Sequence, residues 1–125
     1  MATIKNFEEI KAWQEARELA KYVYLLIKKP GFRADYDLRS QIRRAVGSIL
    51  HNIAEGFDSG SNPEFVKFLR YARRSSSEVQ SQLYMAMDQE YITEPEFRDA
   101  YYRAEKIKRQ LNAFISYLRK TGKTS

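Results

Sequence analysis

An all-α, antiparallel up-and-down four-helix bundle is the architecture encoded by this chain of 125 residues. Apolar residues recur every three or four positions through four long segments, the period of a helix with one buried stripe. Capping residues, proline and glycine punctuate those segments at short intervals, and short connections make consecutive helices antiparallel neighbours. No alternating strand pattern and no internal repeat competes. The length suits a single domain over residues 1–125.

The first helix is expected near residues 7–29. Asn6 can cap it, and Glu9 three positions later completes a capping box. Ile10, Trp13, Ala16, Ala20, Val23 and Ile27 trace its apolar stripe, widened by Leu19 and Leu26, and Pro30-Gly31 stops it. The second helix is expected near residues 37–57, with Asp35 as cap. Leu38, Ile42, Ala45, Ile49 and Ile53 form its stripe, with Val46, Leu50 and Phe57 beside it. Gly47 in its interior points to a close helix crossing, because glycine otherwise weakens a helix. Gly56 and the turn residues 58–61 end it.

Asn62-Pro63 starts the third helix, expected near residues 63–91: a cap, then proline where its missing N–H costs nothing. Phe65, Leu69, Ala72, Ser76, Val79, Leu83 and Ala86 line one face, extended by Phe68, Met85 and Met87. Thr93 and Glu96 form the capping box of the fourth helix, expected near residues 94–120. Its stripe is Phe97, Tyr101, Ala104, Ile107, Leu111, Phe114 and Leu118, and the closing TGKTS is expected to fray.

Composition narrows the function. With 43% apolar and 30% charged residues the chain can fill a core and stay well solvated. No run approaches the roughly 20 apolar residues that cross a bilayer, and the start MATIKNFEEI has no apolar signal core. Cysteine is absent, which excludes disulfides and thiolate chemistry and suits a reducing cytoplasm, the expected location. The formal net charge is +6, unevenly spread. Residues 39–74 hold seven basic and three acidic side chains, residues 75–100 one basic and six acidic, and residues 101–125 seven basic and one acidic.

In an up-and-down bundle the start of the third helix lies beside the end of the fourth. Lys67, Arg70, Arg73 and Arg74 then share one pole with Arg109, Arg119 and Lys120, while Asp88, Glu90, Glu94, Glu96 and Asp99 gather at the other, with Arg39 and Arg43 placed to balance them. Cations spaced by three and four along a helix can neutralise successive phosphates of RNA or DNA, and Tyr71 and Tyr117 near the same end could stack on bases. The plainer reading is a solvated bundle whose opposite poles orient subunits.

The stretch SQIRRAVGSILHNIAEG, residues 40–56, sets polar groups on or beside a packing face. Gln41, Arg44, Ser48, Asn52 and Glu55 are expected to form a structural polar network, since polar groups near a core need partners. Ser75-Ser76-Ser77 reads as small residues permitting close packing. His51 and Glu55 have a ligand-compatible spacing, but the single histidine and the absence of E-x-x-H give no metal centre. No G-x-S-x-G elbow, Walker loop or dinucleotide fingerprint appears, so no catalytic residue and no cofactor is expected. Tyr22, Tyr24, Tyr84 and Tyr102 fall on outer faces and are candidates for subunit contact, which aromatic rings suit.

Gln41-Ile42-Arg43-Arg44-Ala45, Ser48-Ile49 and Asn52-Ile53-Ala54-Glu55-Gly56 resemble the four-helix-bundle proteins encoded in ribosomal-RNA intervening sequences. Trp13-Gln14-x-Ala16, Phe68-Leu69 with Ala72, and Ser75 with Glu78 add supporting matches over roughly residues 7–118. Arg74 and Ser76 depart from the glycine-like and apolar residues that family often carries there. The resemblance implies a homo-oligomer, a ring of five, without enzymatic residues. That family is also similar to accessory proteins of diversity-generating retroelements, basic pentameric bundles that associate with nucleic acid and a reverse transcriptase. The combined expectation is a non-catalytic oligomeric adaptor that binds RNA or DNA backbone through its basic pole; the alternative is a structural protein-interaction module.

Overall fold

The computed structural model describes residues 3–124, and side chains as far as Thr121. A 3₁₀ turn, Phe7–Glu9, precedes α1 (Lys11–Leu26), a short α2 (Pro30–Ala34), α3 (Tyr36–Phe57), α4 (Asn62–Asp88) and α5 (Glu94–Thr124). The four long helices form the bundle. Ser48 meets Ser75, Gln80 meets Glu105 and Glu15 meets Lys106, so α3, α4, α5 and α1 pack in turn around one core, each antiparallel to the next.

The stripes of α3 and α4 bury as their periodicity requires. Ile42, Ile49, Ile53, Leu69, Ala72, Val79, Leu83 and Ala86 are fully enclosed, and Ser76 joins them because its hydroxyl donates to Ala72 O at 3.0 Å. In α1 the stripe turns toward Ala12, Ala16, Leu19, Val23 and Leu26, leaving Trp13 and Ala20 only partly covered. Ile10 is extended (φ −73°, ψ 122°), so the 3₁₀ turn and α1 are separate pieces rather than one helix.

Several boundaries differ from expectation for physical reasons. Pro30 does not merely stop α1; it is the first residue of α2, where proline costs no hydrogen bond. That short helix delivers Phe32 into the core, 5.7 Å from the Tyr91 ring, while the Tyr91 hydroxyl donates to Asp35 at 2.9 Å. Ser61 rather than Asn62 caps α4, accepting from Glu64 N at 3.3 Å. Asn62 instead ties α4 to α5, its amide donating to Leu118 O at 3.1 Å and Thr121 Oγ1 at 3.2 Å. α4 ends at Asp88 rather than near Tyr91, and α5 continues through the residues expected to fray as far as Thr124. Met85, expected to extend an apolar surface, is 51% exposed.

The two glycines of α3 exchange roles. Gly56 is no helix terminator, because α3 runs on to Phe57. A Cβ there would lie 2.8 Å from both Phe65 Cδ1 and Phe68 Cβ, so Gly56 is where α3 and α4 approach closely. Gly47 makes no such crossing: a Cβ would meet only the His51 ring, at 3.7 Å. Its helix cost, up to about 1 kcal/mol against alanine, is not offset by a close helix contact among the described residues.

Candidate nucleic-acid interface

Antiparallel packing of α4 on α5 sets which cations meet. Asn62 fixes one end of the pair. Gln80, buried farther along, donates to Tyr101 O at 3.4 Å and Glu105 Oε1 at 3.0 Å and accepts from Lys108 Nζ at 3.1 Å. Between these clamps Arg70, Arg73, Arg74, Ser77 and Lys108 line an open groove of about 450 Å³.

Each cation is held differently. Arg73 reaches across the helix pair and donates to Asn112 Oδ1 at 2.6 Å. Arg74 lies over the Tyr71 ring, 5.5 Å from its centroid. Lys108 is shared between Gln80 and Glu105, the latter at 4.0 Å. Among the described residues no carboxylate forms an ion pair with Arg70, Arg73 or Arg74. The groove therefore gathers guanidinium charge from α4 that no ion pair among the described residues neutralises, beside Lys108 of α5 and open to solvent. Such a surface can donate hydrogen bonds to a phosphate diester and balance its charge, since guanidinium donors match phosphate oxygens in geometry.

The remaining cations of the pole are more dispersed. Lys67 is exposed and 3.7 Å from Glu64, a weak surface pair. Arg119 lies seven residues, two turns, beyond Asn112 and so continues the α4-facing edge of α5. Arg109 and Lys120 each follow that edge by one position and sit on the exposed outer face; none of the three lines the groove. Tyr117 lines a different cleft, with Ile4, Asn62 and Phe114. Lys108, Ser77 and Asn112 were absent from the expected set. Their signal was geometric: Lys108 and Asn112 are one turn apart on the side of α5 that α4 covers.

At the opposite pole Glu94, Glu96 and Asp99 are paired by residues other than Arg39 and Arg43, while Asp88 and Glu90 form no ion pair among the described residues. Lys29 bonds Glu96 at 2.5 Å, Arg98 bonds Glu94, and Arg103 bonds Asp99 at 2.9 Å. Arg39 turns back to donate to Arg33 O at 3.1 Å. The Lys29 ammonium, then the Thr93 N–H, hold the Glu96 carboxyl below its ordinary value.

The polar stretch of α3 forms two smaller sets rather than one network. Arg44 donates to Ser40 Oγ at 3.0 Å. Ser48 shares a 2.8 Å hydrogen bond with Ser75 and accepts from Asn52 Nδ2 at 2.9 Å. Gln41 and Glu55 stand outside both, exposed and without a hydrogen-bond partner among the described residues. Of the four outer tyrosines, Tyr22 is partly covered by Arg103, 5.5 Å above its ring, and Tyr84 leans on Phe97 at 4.7 Å. Tyr24 and Tyr102 are 45% and 62% exposed. Among the described residues no three His, Cys, Asp or Glu side chains cluster as metal ligands, and no helix is long and apolar enough to cross a membrane.

A family model described as 23S rRNA-intervening sequence protein matches residues 8–113. Among solved structures, the chain is similar to a protein of unknown function from the S23 ribosomal protein family of Bacteroides thetaiotaomicron VPI-5482, determined at 1.70 Å resolution. That likeness has a TM-score of 0.77 at 24% identity, covering 84% of this chain and 95% of the other, and it bears on the fold alone. No curated protein matches the chain.

Proposed function

The chain belongs to the 23S rRNA-intervening sequence protein family, and on that premise we propose that it is a non-catalytic, homo-oligomeric adaptor that holds RNA or DNA backbone in the groove between α4 and α5. The observation that carries this reading is Arg70, Arg73 and Arg74 in one groove, without a carboxylate counter-charge among the described residues. Arginine forks left unpaired on a rigid surface are matched to phosphate rather than to a protein's own acids. Arg119 extends the track along α5, and Lys67, Arg109 and Lys120 add diffuse attraction around it.

One groove is short, so affinity comes from repetition. A ring of five copies presents five such grooves to one polymer and raises avidity without new contacts. A second reading, a structural protein-interaction module, draws on the exposed Tyr84 and Tyr102, which flank the partly buried Tyr101 on α4 and α5. The two are separated by titrating the protein with single-stranded RNA, single-stranded DNA and duplex DNA across a salt series while measuring the mass of the complex. The adaptor reading expects a complex of oligomeric mass at physiological ionic strength. Binding confined to low salt would overturn it and leave the interaction module.

A further inference from the structure

Gly47 forfeits helix propensity at mid-helix, and among the described residues only the His51 ring comes near the space it leaves. It lines an open groove of about 550 Å³ on the outer side of α3, together with Tyr24, Arg43, Arg44, His51 and Asn52. A Cβ added there would find only the His51 ring, at ordinary contact distance. Gly56 on the same helix shows what such a residue does when it has a neighbour: it lets α4 come close. A glycine inside a helix serves the close approach of another backbone, so the backbone served by Gly47 lies outside the chain.

The groove is cationic on balance, Arg43 and Arg44 outnumbering Glu55, which also lines it. Among the described residues Arg43 forms no hydrogen bond or ion pair, and Arg44 bonds only Ser40. The chain carries the complementary surface elsewhere. Glu78, Met85 and Asp88 are spaced by seven and three, one stripe on the outer face of the second half of α4, and all three are exposed. Neither carboxylate is in an ion pair among the described residues, and Met85 is half exposed between them. An unpaired basic face with a glycine notch and an unpaired acidic face with a methionine knob fit each other but cannot meet within one molecule, since they point outward from different helices.

We propose that a second copy of this chain docks the Glu78–Met85–Asp88 face of its α4 against the α3 face around Gly47. The contact is heterologous: each copy offers a different surface to each neighbour, so it repeats until the rotation closes a ring. The inference rests on the self-assembly proposed above and specifies which faces meet.

Light scattering and sedimentation of the full chain test it. Gly47→Gln should weaken association at least tenfold, while Gly47→Ala, read at dilutions where the chain is monomeric, should raise the unfolding midpoint. Arg43→Glu with Arg44→Glu should reduce the mass toward the monomer, as should Glu78→Arg with Asp88→Arg, with helicity by circular dichroism preserved. The chain carrying all four charge reversals should assemble again. A wild-type monomer would sink the self-assembly reading itself. An oligomeric wild type whose Gly47 and charge variants keep its dissociation constant would overturn only this pair of faces. Loss of RNA binding in the Arg43/Arg44 variant with unchanged mass would overturn it in favour of a nucleic-acid contact.

Discussion

Replacing Gly56 by alanine probes the close approach of α3 to α4. Helix propensity alone predicts a gain of up to about 1 kcal/mol, because α3 continues through this position. The structure predicts the opposite sign. The new methyl would sit 2.8 Å from Phe65 Cδ1 and 2.8 Å from Phe68 Cβ, distances real Cβ atoms do not reach. The Phe65 ring can tilt, though it is wedged edge-on against Phe114 at 5.2 Å and Phe57 at 6.2 Å. Phe68 Cβ is fixed to the α4 backbone, so relief requires the helices to separate. Overpacking of this kind costs about 1–3 kcal/mol. Setting the propensity gain against the upper half of that range leaves a net loss of about 1–2 kcal/mol. For a chain of this length that lowers Tm by about 3–12 °C. Urea and thermal unfolding followed by circular dichroism, at equal protein concentrations, measure it. An alanine variant as stable as wild type, or more so, would refute the close-approach argument.

Ser75→Ala removes a buried hydroxyl that Ser48 bonds and should cost about 1 kcal/mol, with Ser48→Ala plus Ser75→Ala costing less than the two single changes summed; chemical denaturation of the three variants checks this. Glu96→Gln tests the Lys29 ion pair. Because the folded carboxyl is held below the ordinary value of 4.5, its stabilisation is complete above that value and lost as pH falls through the lower folded one. The stability gap between wild type and Glu96→Gln should therefore be widest near neutrality and close in acid, and a gap independent of pH would contradict the assignment.

The long helices were legible because their stripes are strongly periodic: Leu38 to Ile53 and Phe65 to Ala86 bury in the register their spacing predicts. The α2 segment was not, since Pro30-Gly31 reads equally as a stop or as the first turn of a new helix, and only tertiary packing of Phe32 on Tyr91 decides. Glycine roles in α3 were unreadable for the same reason; periodicity places Gly47 and Gly56 on a helix but says nothing of what faces them. At the candidate site, the α4 arginines stood out as one stripe. The α5 contribution did not, because choosing Lys108 and Asn112 over Arg109 and Lys120 requires the rotation of α5 about its axis. The acid pole failed at the level of partners: Lys29, Arg98 and Arg103, not Arg39 and Arg43, pair with Glu96, Glu94 and Asp99.

The central claim is that unpaired arginines of the α4–α5 groove meet phosphates. Its most direct measurement is the slope of log K against log salt concentration for single-stranded RNA, wild type against Arg70→Gln/Arg73→Gln/Arg74→Gln. Three lost phosphate contacts predict a slope shallower by about 2 for a single strand, with weaker binding and unchanged helicity. Equal slopes for the two proteins would contradict the claim.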